Sequence, residues 1–268
     1  MIKDITLGQY FPGNSMIHRL DPRTKLLGMI AYIVIVFLVK ETAVFLLPAL
    51  FIVAVVAMAK VPLSYVLRSL KPIRLLLVFM FIINLFMVKT GEPIVEFWII
   101  RITTGGVKQA VFITLRLVML LMGTSLMTLT TTPIALTDGL ERLLAPLAKL
   151  RFPAHELAMM MTIALRFIPT LIEEADKIMK AQMARGADFE SGNLIRRAKS
   201  MVPVLVPLFI SAFRRADELA MAMESRCYHG GEGRTRLHVL HFHWGDGAAA
   251  LSFGVLTAAV LLAQGLLY

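Results

Sequence analysis

Apolar residues in this chain come first as long unbroken runs, then at one-face helical spacing over more than a hundred residues, and finally as one last run. The runs are Leu26 to Val39, Ala43 to Ala59, Leu75 to Val88, Val107 to Leu129 and Ala248 to Leu267. Each predicts a membrane-spanning helix. Several fall short of the roughly 20 residues that a span normally needs, and must borrow flanking residues or thin the bilayer. The first is short enough to read equally as a buried or re-entrant helix. Ahead of it, Asp21 reads as an N-cap, Pro22 as the first helical residue, and Arg23 and Lys25 as headgroup anchors. Leu63 to Leu70, bracketed by Pro62 and Pro72, predicts a short interfacial helix.

Between the fourth and fifth runs, from about Pro133 to Trp244, the pattern changes to a helix with one apolar face. Ile134 to Leu150 predicts a short amphipathic helix. Leu157, Met160, Met161, Ala164, Phe167, Ile168, Leu171, Ile172, Ala175, Ile178, Met179 and Met183 then form a stripe opposite Glu173, Glu174, Asp176, Lys177 and Lys180. This predicts a helix from about Ala154 to Arg185, kinked at Pro169 and stopped by Gly186. A second stripe, Leu194, Ala198, Met201, Leu205, Phe209, Ala212, Ala216, Leu219 and Met223, predicts another, bent at Pro203 and Pro207. The organisation expected is a membrane bundle over 1–132, a surfaced region over 133–244 and a final span over 245–268.

With 57% hydrophobic and 17% charged residues, the chain is too apolar for a water-soluble domain. That changes the meaning of its net charge of +10, which in a soluble protein would suggest nucleic acid and here reflects the positive-inside rule. Lys60, Arg68, Lys71 and Arg74 mark the second connection as cytoplasmic. Alternation then places the N-terminus and the surfaced region inside and the C-terminus outside. The polar stretch from Met1 to Lys25 gives no reason to expect a cleaved signal peptide. A single cysteine, Cys227, excludes an internal disulfide and any zinc framework of two or more thiolates.

Candidate chemistry is sparse. No Gly-x-x-x-x-Gly-Lys-Ser/Thr loop, Gly-x-Ser-x-Gly or His-Glu-x-x-His occurs, so neither nucleotide hydrolysis nor intramembrane catalysis is expected of this chain. His238, His241 and His243 have only Asp246 nearby and read as a polar membrane approach rather than a metal site. Arg116, inside the fourth run, should face protein or water, unless the span starts late enough to leave it near the outer interface. The two long helices end alike, in Ala184-Arg185-Gly186 and Ser225-Arg226-Cys227, 41 residues apart. A guanidinium between small residues suits docking to carboxylates or carbonyls of another protein, and it suits equally well the negative end of a helix dipole.

Leu20-Asp21-Pro22-Arg23-Thr24-Lys25-Leu26, Ala184-Arg185-Gly186 and Ala222-Met223-Glu224-Ser225-Arg226-Cys227-Tyr228 together resemble the transmembrane T component of energy-coupling factor (ECF) transporters, in order and over the whole chain. One position departs: the family usually has Gly where this chain has Cys227, which lacks glycine's freedom to take positive φ. The resemblance implies an L-shaped membrane all-α fold of about five transmembrane helices with two long and one short amphipathic coupling helices. It implies a non-catalytic subunit of an ATP-driven importer of vitamins or transition-metal ions in a prokaryotic cell membrane. Ala184, Arg185, Gly186, Ser225, Arg226 and Cys227 would dock two ABC-type ATPases, Asp21, Pro22 and Arg23 would be the N-terminal signature, and Met160, Phe167, Leu171, Leu205 and Phe209 would form the platform for a small substrate-binding membrane subunit. ATP and Mg would be used by the ATPases, with no cofactor or metal on this chain, no nucleic acid, and membrane lipid around it. A conventional ABC permease is the nearest alternative, because Glu174-Ala175-Asp176 faintly resembles a Glu-Ala-Ala coupling loop, although the downstream Gly and Ile-x-Leu-Pro pattern is missing. A secondary transporter would need internal repeats, which are not seen.

Overall fold

The computed structural model describes residues 10–97, 100–146, 152–189, 193–230 and 241–267. All five apolar runs are helical: α1 (Pro22–Leu38), a 3-10 turn leading into α2 (Leu46–Ala59), α3 (Leu63–Arg68) followed by α4 (Arg74–Met87), α5 (Thr104–Thr130), and, at the end of the chain, α9 (Trp244–Leu267). α1 opens as its sequence predicts, with the Asp21 carboxylate accepting the Arg23 amide at 2.8 Å and Pro22 in the first turn, where a missing amide costs nothing. The connection between α4 and α5 differs from expectation. It is an antiparallel hairpin of β1 (Pro93–Phe97) and β2 (Ile100–Thr103), drawn tight by Thr103, whose hydroxyl donates to the Val88 carbonyl and accepts from the Gly106 amide.

The bundle packs by face. Tyr32, Ile35, Val36 and Val39 of α1 meet Ile52 and Val56 of α2, Met119, Met122 and Leu126 of α5, and Leu256 and Val260 of α9. Gly28 lets α9 approach closely, since a Cβ there would lie 2.6 Å from the Phe253 ring. Leu27, Ile30, Val34 and Phe37 of α1 and Leu75, Val78 and Phe79 of α4 are exposed, an apolar outer surface suited to hydrocarbon. The helices long and apolar enough to cross a membrane are Thr42–Ala59, Leu63–Met87, Thr104–Thr130, Ala154–Ala184 and Trp244–Leu266, which makes this a multi-pass membrane all-α protein. This set is not quite the five runs read from the sequence. At 17 residues, about 25 Å, α1 falls short, whereas Ala154–Ala184 qualifies because its charges gather in its second half.

The intervening region forms α6 (Pro133–Leu144), α7 (Ala154–Ala184) and α8 (Leu194–Glu224). α6 covers the first part of the predicted Ile134–Leu150 helix, and residues 147–151 lie outside the described ones. α7 and α8 match their predicted bounds closely and run uninterrupted through Pro169 and through Pro203 and Pro207. Contacts divide the chain into one unit built on Glu141–Val239 and another built on Gly8–Leu140 with Leu240–Tyr268.

Within the second unit, one buried carboxylate joins two helix starts. Asp246 accepts the His243 amide at 2.8 Å, closing the first turn of α9, and accepts the Asp21 amide at 3.0 Å at the head of α1. Asp246 is 4% exposed and its bond to the Asp21 amide is buried, so that amide has no water to replace it. Asp246→Ala should therefore destabilise the protein by about 2–4 kcal/mol, one lost cap plus one orphaned buried amide. A thermal melt of the purified variant in detergent would show this, and an unchanged midpoint would refute it.

Candidate functional site

The tips of α7 and α8 are geometric copies. At the end of α7 the Gly186 amide donates to the Met183 carbonyl at 2.9 Å and the Ala187 amide reaches back to the Gln182 carbonyl at 3.0 Å. At the end of α8 the Cys227 amide donates to Glu224 at 2.9 Å and the Tyr228 amide to Met223 at 3.0 Å. This paired closure is the Schellman motif, which satisfies the last carbonyls by turning one residue left-handed. That residue is Gly186 at φ +88° and Cys227 at φ +56°. Arg185 and Arg226 each stand immediately before it, exposed on a turned-away backbone. Neither forms a salt bridge among the described residues.

Cys227 thus occupies the conformation for which the resembled family uses glycine. A Cβ in the left-handed region costs on the order of 1 kcal/mol, and the two closing hydrogen bonds offset it. His229 adds a third constraint, its Nδ1–H donating to the Cys227 carbonyl at 2.8 Å.

The two helices meet at a salt bridge, Arg215 Nη2 to Glu174 Oε2 at 2.8 Å. Glu174 lies eleven residues before Arg185, and Arg215 eleven before Arg226, so each guanidinium ends an arm of equal length, about 16 Å. Side by side and parallel, the helices would put Arg185 and Asn193 more than about 40 Å apart, beyond the roughly 29 Å that eight residues reach, so that arrangement is excluded. Glu174-Ala175-Asp176 is mid-helix and committed: Glu174 binds Arg215, and Asp176 binds Lys180 one turn on. It does not form a loop, as the permease reading would require.

The predicted platform residues are split between two environments. Met160, Leu205 and Phe209 are exposed, while Phe167 and Leu171 are half-buried. On α8 the buried side carries Val204 and, three turns on, Arg215. Val202, Val206, Phe209, Ile210 and Phe213 lie away from it, a continuous exposed apolar strip broader than the stripe counted in the sequence.

The N-terminal signature is structural in this fold. The Arg23 guanidinium grips Asp21 through Nε at 3.1 Å and Nη2 at 2.9 Å and lies 4.1 Å from the Phe242 ring centroid. The Asp21 carboxylate raises the Arg23 pKa through that bond, and burial works against it. Pro22 packs under α6, where a Cβ on Gly139 would come within 2.9 Å of it. Lys25 donates to the Thr130 carbonyl at 2.8 Å and to the His18 carbonyl at 3.1 Å, so it binds the end of α5.

Arg116 answers the question its position raised. Its Nη2 donates to the Val39 carbonyl at the end of α1, at 2.7 Å, and the guanidinium lies 4.6 Å from the Phe112 ring centroid. It faces protein, mid-helix in α5, which sequence reasoning allowed but could not locate. His241 and His243 are exposed, His238 lies outside the described residues, and the Asp246 oxygens are taken by backbone amides. No cluster able to hold a metal occurs among the described residues.

Replacing Cys227 with Gly should stabilise the tip of α8 by about 1 kcal/mol, and Gly186→Ala should destabilise the tip of α7 by a similar amount. Hydrogen exchange reads both: amides of 223–228 slow in the first variant, and those of 182–187 speed up in the second. Equal exchange in variant and parent would contradict the left-handed assignment.

Comparison with known proteins gives the context for these tips. Residues 13–237 match the family described as CbiQ, cobalt transport protein. The chain is 57% identical to an energy-coupling factor transporter transmembrane protein EcfT of Thermosediminibacter oceani, covering 98% of this chain and 99% of that one. It is 56% identical to the protein of the same name from Acidaminococcus fermentans, over 98% and 97% of the two chains, and 50% identical to that of Bacillus subtilis, over 96% and 97%. The matches run over nearly the whole of each chain, and the chain belongs to the EcfT family of energy-coupling transmembrane subunits of ECF transporters.

Proposed function

We propose that this subunit carries ATP-driven movement from two ABC-type ATPases to a small substrate-binding membrane protein, with Arg185 and Arg226 as the points of grip. The observation that carries this reading is the equivalence of the tips: two exposed guanidiniums, in the same backbone closure, each eleven residues from the ion pair that joins the two helices. A pair of like ATPases related by a two-fold axis presents two like grooves, and equal arms suit that symmetry. Each guanidinium has five N–H donors to offer carboxylates or carbonyls in such a groove. Small neighbours at Ala184, Gly186, Ser225 and Cys227 let the ATPase backbone come close.

Taken as a crossing of α7 and α8, the Glu174–Arg215 contact supplies the lever. When the ATPases close on ATP and carry the tips with them, the angle between α7 and α8 changes, and the apolar faces carrying Met160, Phe167, Leu171, Leu205 and Phe209 repack against the substrate-binding protein. Methionine and phenylalanine suit a surface that must stay apolar while it slides. ATP and Mg act on the ATPases, and catalysis stays there. The cargo is recognised by the substrate-binding protein, with vitamins and transition-metal ions as the expected classes. The N-terminus and the tips are placed on the cytoplasmic side, where the ATPases are.

Arg185→Ala combined with Arg226→Ala should insert normally yet lose ATP-dependent uptake, and each single change should weaken ATPase association by about 30-fold, the scale of an interfacial arginine hot spot. Co-purification of the ATPases and a vesicle uptake assay measure this. Undiminished uptake by the double variant would end the proposal. Glu174→Arg and Arg215→Glu should each impair coupling, and the combined swap should restore most of it. Failure of the swap to rescue would deny the crossing its role.

A further inference from the structure

Between α1, α2, α5 and α9 lies a cavity of about 630 Å3, within the size range of sites that hold a whole small ligand. Its wall is apolar, formed by residues such as Phe51, Ala54, Met58 and Phe253, and several of these also face outward, so the space opens on the side where hydrocarbon would be. One part of its lining is cationic, with Arg19 and Lys25. A cavity with an apolar wall and a basic rim, in a membrane-spanning bundle, matches an amphiphile with a negative head.

We propose that this cavity holds an acyl chain of an anionic phospholipid, whose phosphate is taken by Lys25 and Arg19. Further observations bear on it. The Lys25 ammonium has three N–H donors and spends two, on Thr130 and His18, which leaves the third for an anion. Burial pushes its pKa down to about 8, one residue ahead of the first apolar run, and an adjacent phosphate would raise it again. Arg19 is exposed and makes no ion pair among the described residues. The nearby carboxylates act on Lys25 through their charge but spend their hydrogen bonds elsewhere: Asp21 is held by Arg23, and Asp246 by two backbone amides. Deeper in the same wall, Tyr32 is 4% exposed, and its buried hydroxyl has no partner, a second unspent donor, suited to an ester oxygen. This assignment is independent of how the tips act.

The test is native mass spectrometry of the full chain in detergent, titrated with phosphatidylglycerol and with phosphatidylcholine of the same acyl composition. Phosphatidylglycerol should be preferred by about tenfold or more, and Arg19→Ala should cut that preference by about fivefold, the scale of one basic side chain near an anionic headgroup. Ala54→Phe, which fills the apolar part, should abolish retention of either lipid. Equal binding of the two lipids overturns the proposal. So does a preference that survives both substitutions, which would put the lipid elsewhere on the surface. Should Ala54→Phe fail to fold, the exposed Arg19→Ala variant decides alone.

Discussion

A helix that ends away from water leaves backbone groups without partners, and in a chain this apolar the ending of helices is the constraint on which the rest depends. Several polar side chains within this fold are spent on it. Asp246 closes the start of α9 and secures the start of α1, Arg116 closes the end of α1 at Val39, and Gln264 donates to the neighbouring Leu38 carbonyl at 2.8 Å. Lys25 serves the end of α5. These bonds fix which helix ends lie together and so decide the bundle's order more sharply than its interchangeable Val, Ile and Leu contacts could.

The same constraint is met differently in α7 and α8, and the difference is functional. Their ends are closed chiefly by their own backbone, through Schellman turns, without help from Arg185 or Arg226. Arg185 and Arg226 are consequently not needed to hold the structure together. A guanidinium that the fold leaves exposed is one that a partner can use. The contrast with Arg23, which is folded onto Asp21 and Phe242, shows how one residue type divides between holding a fold and meeting a partner.

Exposed apolar surface sets the other half of the problem. On α1 and α4 it is accounted for by lipid. On α8 the strip from Val202 to Phe213 lies on the side away from Val204 and Arg215, on a helix that also carries Arg196, Arg197, Arg214 and Arg215, so neither bulk water nor hydrocarbon suits the whole of it. A helix of that kind is stable in an assembly, which agrees with membership of a family of transporter subunits.

Much of this was legible in the chain itself. The apolar runs, the stripes in α7 and α8, the Asp21-Pro22 start and the Arg-bearing tips follow from local rules of burial, capping and left-handed closure, which act over four or five neighbouring residues and are therefore written in neighbouring residues. What remained hidden involves partners far apart in sequence. Arg116 could be recognised as costly but not matched to Val39, Asp246 could not be paired with Asp21, and the hairpin over 93–103 carried too short a signal between two spans. The face that α8 turns inward was likewise not legible, because an apolar count cannot tell a side that packs from a side that waits for lipid or protein. Only the tertiary structure settles such matters, since a buried hydrogen bond forms wherever folding brings donor to acceptor, and its distance along the chain leaves no local trace.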